Sequence, residues 1–322
     1  MNEVLVGTLV ASTLRVSVPL ILCAMAGVLC ERSGVIDLGL EGKMLLTAFA
    51  TASVGVATGS LALALLAAVA VGVALSMLHG YACVSHGGDQ VVLGMAITMT
   101  AAGLTVVLGI AWFAQGGQTP PVPEAVRLGR WFTGAGALVG HIPGVGQALA
   151  LAFFGHNPMV YLSLLLVAAV AWLLYRTRFG LRLRAAGENP AMVDAAGVSV
   201  QALRYQALAL NGVLSALAGA YLVLAQNPSF IPNMTAGRGY MALAALIFGK
   251  WRPGGALAAC LLFGFLDAVS IRLQDTVLPL IGAVPVQAIQ ALPYVLTVVL
   301  LAGFIGSAVA PAALGRPYVK DR

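Results

Sequence analysis

Apolar stretches of about twenty residues follow one another along nearly the whole 322-residue chain, with few polar interruptions between them. A bilayer core of about 30 Å is crossed by about 20 apolar residues in helical form. The stretches are long enough to span, and none stands out as a lone anchor. Composition closes off the soluble alternative. Hydrophobic residues make up 60% of the chain and charged residues 9%, against roughly a half and a quarter in a soluble domain. So few charges cannot cover so much apolar surface, and the pattern predicts an all-α, polytopic helical membrane protein with one transmembrane domain over residues 1–322.

Spans are read near 7–29, 35–58, 61–79, 91–112, 159–175, 205–225, 239–250, 254–271 and 287–306, about nine transmembrane segments. The segment at 239–250 is too short to cross unaided. The loop after the fifth span carries Arg176, Arg178, Arg182, Arg184 and Arg204, which places it in the cytoplasm by the positive-inside rule. Alternation from there puts the N-terminus outside and the C-terminus inside. Arg32, Lys43, Lys250, Arg252, Arg316, Lys320 and Arg322 then join those five on the inside. Only Arg127, Arg130, Arg238 and Arg272 lie outside, and Arg15 falls within the first span. The net charge of +6 is thus explained by basic cytoplasmic loops and does not indicate a nucleic-acid partner. No basic region precedes the first apolar run, so no cleaved signal peptide is expected. Cys23, Cys30, Cys83 and Cys260 sit in or beside apolar runs without a CxxC spacing, and read as buried small hydrophobes.

One stretch breaks the apolar monotony. "GVIDLGLEGKMLL", residues 34–46, gathers Gly34, Gly39 and Gly42 with Asp37, Glu41 and Lys43. Irregular backbone at membrane depth is tolerated only where protein buries it or water lines it, and ionisable groups there face a cavity or pair up. A related stretch, "AGRGYMALAALI" at 236–247, aligns Gly239 with Gly42, Met241 with Met44 and Arg238 with Glu41. Paired glycine-broken segments are the mark of an inverted-topology repeat flanking a transport route. The first repeat covers about 7–112 and the second 205–306. An external loop and linking span (113–175) and a cytoplasmic loop (176–204) lie between them, and a tail (307–322) follows. On this topology the first broken segment lies at the cytoplasmic end of its helix pair and the second at the outer end. Asp37, Glu41, Arg238, Tyr240 and Asp267 are the candidate pathway residues. Asp267, in "FGFLDAVSIRLQ", is the one clear candidate for an ion-coupling carboxylate, as an ion-driven secondary carrier would need.

Enzyme signatures are missing. The four histidines lack metal spacing, there is no GxSxG elbow, and neither Gly-Lys pair belongs to a phosphate loop. The chain is expected to hold no metal or cofactor and to hydrolyse no ATP itself. The cytoplasmic loop has a sharper signal. In "GENPAMVDAAG" (187–197), Asn189 suits an N-cap, Pro190 the first helical position and Gly197 the position after the C-cap. This predicts a helix of about two turns on the cytosolic face, suited to docking a soluble partner. Its candidate residues are Arg184, Gly187, Glu188, Asn189, Pro190, Val193, Asp194 and Gly197.

"ERSGVIDLGLEGKMLL", "GENPAMVDAAGVS" and "MTAGRGYMALAALIFGKWRPGGAL" resemble the permeases of bacterial ABC importers in the branched-chain amino acid/ribose/nucleoside superfamily. "LDAVSIRLQ" and "IPGVGQALALAFFGHNPMVYLSLLL" are similar to its nucleoside (simple-sugar-like) subgroup, and the resemblance covers nearly the whole chain. It implies a permease that moves nucleosides across the inner membrane, paired with a related second permease. A cytoplasmic ATPase with two nucleotide-binding halves would drive the pair, holding the ATP and magnesium, and a periplasmic or lipoprotein binding protein would deliver substrate. The loop at 185–204 would contact the ATPase, and the segments at 34–44 and 236–241 would line the route between the permeases. Asp37 stands where the nucleoside subgroup often has asparagine and is more typical of sugar permeases, so a pentose or other simple sugar remains the alternative substrate.

Overall fold

The computed structural model describes residues 2–141, 146–273, 291, 295 and 309–319. Every regular element among them is helical. Helix α1 (Asn2–Glu31) is followed by a non-helical break and then α2 (Leu40–Thr58). Helix α3 (Leu61–Gly80) starts at Ser60, whose side chain accepts from the Leu63 amide, and continues into a π-turn at Tyr81–Ser85. Helix α4 (Gln90–Phe113) is capped by Asp89, which accepts from the Val91 and Val92 amides. The link beyond it contains two short helices, α5 (Thr133–Gly140) and α6 (Gly146–Phe153). Helix α7 (Pro158–Arg176) opens on an Asn157 cap with proline in its first turn. Two shorter helices follow, α8 (Arg178–Glu188) and α9 (Pro190–Ala195). Helix α10 (Val200–Tyr221) runs into a second π-turn, Leu222–Gln226. A non-helical stretch leads to α11 (Arg238–Phe248), and α12 (Pro253–Leu273) follows.

Among the described residues, six helical stretches are long and apolar enough to cross a membrane: Val4–Glu31, Leu61–Ser85, Gln90–Phe113, Pro158–Arg176, Val200–Gln226 and Pro253–Arg272. They match six of the spans read from sequence. The span read at 35–58 begins later, at Leu40, because the residues before it are drawn into turns. The segment read at 239–250 is the eleven-residue α11, roughly 16 Å long at 1.5 Å per residue, about half a bilayer. The span read at 287–306 lies outside the described residues, apart from the isolated positions 291 and 295.

The core is built around α1, α2 and α10. Helix α1 packs on α10, α11 and α12, and α10 packs in turn on α2 and α3. Small residues allow this closeness. A Cβ on Gly212 of α10 would stand 2.6 Å from the Gly72 carbonyl of α3, and one on Gly219 would stand 2.3 Å from the Met44 carbonyl of α2. Without a hydrophobic drive between helices in lipid, association draws on close packing of this kind together with interhelical hydrogen bonds. Outward faces of α3 and α4 expose Leu66, Leu78, Val92, Met99, Val107 and Ile110. The link after α4 is pinned over the stretch before α11 by the Thr119 amide on the Phe230 carbonyl (3.1 Å), Val122 on Pro228 (2.6 Å) and Leu128 on Leu224 (3.0 Å).

Candidate functional site

The glycine-broken segments were expected at opposite ends of the membrane, and the structure instead brings them into contact. Glu41, in the first turn of α2, accepts from the Gly237 amide through Oε1 (2.8 Å) and from the Gly239 amide through Oε2 (2.6 Å). Those amides open α11, whose own N-cap residue, Gly237, supplies no side-chain acceptor. A helix start leaves unpaired donors and a partial positive charge, and Glu41 answers both from another element. It also lies in the first turn of α2, so one carboxylate serves the positive ends of two helices. The approach is close enough that a Cβ on Gly239 would stand 2.6 Å from the Glu41 Cα. At its other end α11 is held to α1: the Arg32 Nε donates to the Trp251 carbonyl at 2.9 Å, and the Trp251 indole donates to Glu31. Lys250 and Trp251 in this turn are both left-handed, each with φ of 53°.

Four residues before Glu41, Asp37 is paired differently. Its Oδ2 receives the Lys43 ammonium at 2.6 Å, and its Oδ1 accepts from the Gly39 amide at 3.0 Å and lies 3.1 Å from the His79 Nδ1. Lys43 also donates to the Asn211 Oδ1 (3.0 Å), which receives the Ser76 hydroxyl as well (3.2 Å). Asp37, Lys43, His79, Ser76 and Asn211 are all fully buried. The cluster therefore ties the break before α2 to α3 and α10 from within the protein. His79, Ser76 and Asn211 carried no sequence signal, since each is an isolated polar residue in an apolar helix.

The expected pathway residues thus divide. Asp37 and Glu41 are buried, with their oxygens engaged inside the chain. Tyr240 is exposed, its hydroxyl 3.8 Å from the Met95 Sδ of α4, while Arg238 and Asp267 are half-buried.

The loop that holds α9 is built from its own residues. The Asn189 Oδ1 accepts from the Met192 amide at 3.2 Å, and Pro190 occupies the first turn of α9. At the other end Gly197 has φ of +78°. Its amide reaches the Asp194 carbonyl (2.9 Å), and the Val198 amide reaches that of Val193 (3.2 Å), the paired bonds of a Schellman motif. Val193 is buried under the helix, and Met192 is exposed on its outer side. With Leu181, Ala185 and Val198 they line a cavity of about 580 Å³ between α8 and α9. Arg184 points elsewhere, its guanidinium 5.0 Å from the centre of the Tyr175 ring.

Gly187 and Glu188 join this loop to the first broken segment. A Cβ on Gly187 would stand 2.3 Å from the Arg32 carbonyl. The tail at 309–319 bridges the two: Ala313 donates to the Gly187 carbonyl (2.9 Å), Gly315 to the Gly34 carbonyl (3.1 Å), and Ala312 to the Glu188 carboxylate (3.2 Å). Arg204, counted from sequence as one more basic loop residue, is buried at this junction. Its Nε reaches the Ser33 carbonyl (3.3 Å) and its Nη1 the Arg316 carbonyl (3.2 Å). Among the described residues no three His, Cys, Asp or Glu side chains stand close enough to hold a metal ion.

A family model described as "Branched-chain amino acid transport system / permease component" matches residues 9–305. The guanosine ABC transporter permease protein NupQ of Bacillus subtilis is 38% identical over 98% of this chain and 97% of its own length. The nucleoside ABC transporter permease protein NupC of Lactococcus lactis is 36% identical over 98% of this chain and 97% of its own length. A solved structure described as an inward-facing conformation of a metal-chelate type ABC transporter aligns over 92% of this chain and 85% of that one. Its TM-score is 0.50 at 17% identity, a likeness of fold alone.

Proposed function

We propose, on the premise that the chain belongs to the branched-chain amino acid transport system / permease component family, that it is a permease subunit of an ATP-driven importer of nucleosides in a bacterial cytoplasmic membrane. The observation that carries the substrate is near full-length similarity to permeases named for guanosine and for nucleosides. The sugar alternative rested on Asp37. That carboxylate is fully buried against Lys43 and His79, so internal pairing accounts for it without contact to a substrate.

ATP and magnesium belong to a separate ATPase that docks on α8 and α9, a second permease pairs with this one, and a binding protein delivers substrate. The N-terminus lies outside and the C-terminus in the cytoplasm. This orientation is supported by the tail at 309–319, which lies against the α8–α9 junction, while Arg272 at the end of α12 bonds to Thr8 near the start of α1. Movement of α9 passes through Gly187 and the tail to the turn at 33–39, then through α2 to Glu41, and so to α11. Tyr240 and Arg238, at the start of that half-length helix, face the route between the two permeases. Asp37 and Glu41 act on that route through the helices they hold.

Uptake of labelled guanosine, cytidine and ribose tests the reading, with the chain co-expressed with its ATPase, second permease and binding protein. Nucleoside uptake that needs ATP and is lost when this chain is omitted is the expected result. Ribose uptake without nucleoside uptake would overturn it.

A further inference from the structure

The end of the bundle opposite α9 carries a cavity of about 430 Å³ between α1 and the α5–α6 hairpin. Among the described residues its lining includes Thr8, Arg15, Arg130, Thr133 and His156, and no carboxylate. Among the described residues neither guanidinium forms an ion pair, and Arg15 reaches only the Ser12 hydroxyl, at 3.5 Å. His156 is buried, and its Nε2 lies 2.9 Å from the Ala152 carbonyl, an acceptor only. Burial, and then the two arginines beside it, push its pKa below the usual histidine value.

Depth along α1 locates this cavity. Arg15 stands sixteen residues from Glu31 at the cytoplasmic end, roughly 24 Å at 1.5 Å per residue, near the far boundary of a core about 30 Å thick. Thr8 is about two turns further out, among the lipid headgroups. The hairpin beside the cavity has no charged residue in either helix. It exposes Trp131, Phe132, Leu138, Leu149 and Phe153, the residue types that settle at a bilayer interface. Two guanidiniums with no ion pair among the described residues thus face a cavity at the boundary between the core and the headgroups, next to a surface suited to acyl chains.

We propose that this cavity binds the phosphate of an anionic phospholipid from the leaflet opposite α9. Arg15 and Arg130 hold the phosphate oxygens, a task that suits the planar guanidinium, and the acyl chains lie along the exposed leucines of the hairpin. A headgroup with net negative charge is favoured over a zwitterionic one, because choline would bring a cation against two arginines.

Thermal unfolding of the full chain in detergent tests this, with dioleoyl phosphatidylglycerol, dioleoyl phosphatidylcholine or inorganic phosphate added. Ligand binding to the folded state raises Tm. Phosphatidylglycerol should raise it by several degrees in the wild type and in Arg127→Gln, an exposed outer-loop control that does not line the cavity. The shift should vanish in the Arg15→Gln/Arg130→Gln double variant, whose Tm without lipid should stay near wild type. An equal shift from inorganic phosphate would overturn the lipid as the source. An equal shift from phosphatidylcholine, or a full shift retained in the double variant, would overturn the site.

Discussion

Helices α9 and α11 both begin with unpaired backbone donors, and they satisfy them by opposite means. At α9 the acceptor is the Asn189 side chain, three residues before the amide it caps. At α11 the cap residue is a glycine, and the acceptors come from Glu41, 196 and 198 residues away in sequence. The start of α9 is therefore encoded locally and needs no other part of the fold. The start of α11 is satisfied only when α2 is packed beside it. A local cap suits a surface handle that must keep its shape while it moves. A remote cap makes one helix report the position of another, which suits a route that opens and closes.

The comparison breaks most severely at the support beneath Glu41. Lys43 neutralises Asp37, and Asp37 holds the Gly39 amide that sets the turn into α2. Lys43→Met leaves a buried carboxylate with no ammonium partner, a loss of about 3–5 kcal/mol for a broken buried pair. The expected result is poor yield and a large fall in Tm by size-exclusion thermostability assay. Asp37→Asn/Lys43→Met should recover much of it, since it removes both charges. A Lys43→Met protein as stable as wild type would mean that the cluster does not hold the remote cap in place.

Next in size is Val193→Pro. It removes the bond from the Val193 amide to the Asn189 carbonyl, and proline inside a helix costs about 3 kcal/mol. The loss falls on α9, outside the spans, so insertion and pairing with the second permease should survive while ATPase association or substrate-stimulated ATP hydrolysis collapses. Wild-type coupling in a well-inserted Val193→Pro protein would remove α9 from the mechanism.

Glu41→Gln probes the remote cap directly. The amide keeps one acceptor oxygen and turns its NH2 against the second donor, leaving a buried N–H unpaired at about 1–3 kcal/mol. The protein should fold, with a moderate fall in Tm, and substrate uptake should fall by a larger factor than the folded fraction. Uptake that merely tracks the folded fraction would make Glu41 a structural cap and nothing more.

The same contrast decides what could be read from sequence. "NPAMVDAAG" displays its cap, its first-turn proline and its terminal glycine in order, and α9 forms where those residues place it. Long apolar helices were legible for a similar reason, because span length depends on composition alone. The meeting of Glu41 with Gly237 and Gly239 was not legible. Hydropathy reports which residues enter the membrane, and says little about how deep a broken segment reaches. Both segments were placed by counting alternating spans, which assigns ends and misses a junction inside the bundle. Arg204 misled in the same way: as a basic residue it counts towards orientation, while its burial depends on Ser33 and Arg316, remote in sequence.

The smallest expected effect is also the cleanest contrast with Glu41→Gln. Asn189→Ala removes one local acceptor from the Met192 amide, and such a change weakens a helix by about 1 kcal/mol. Asn189 is exposed, so water can take over the freed amide, which is impossible for the buried amide at Gly239. Proline at the first position and the Gly197 turn still favour the helix. The Tm of the whole chain should therefore hardly change, and uptake should be reduced in proportion to a frayed docking helix. The diagnostic measurement is ATP hydrolysis against ATPase concentration. A helix that is formed less often binds its partner more weakly, so half-maximal stimulation should need several-fold more ATPase while the plateau is nearly kept. A lowered plateau at unchanged half-maximal concentration would mean that Asn189 acts after docking, and the division between a local handle and a remote cap would have to be redrawn.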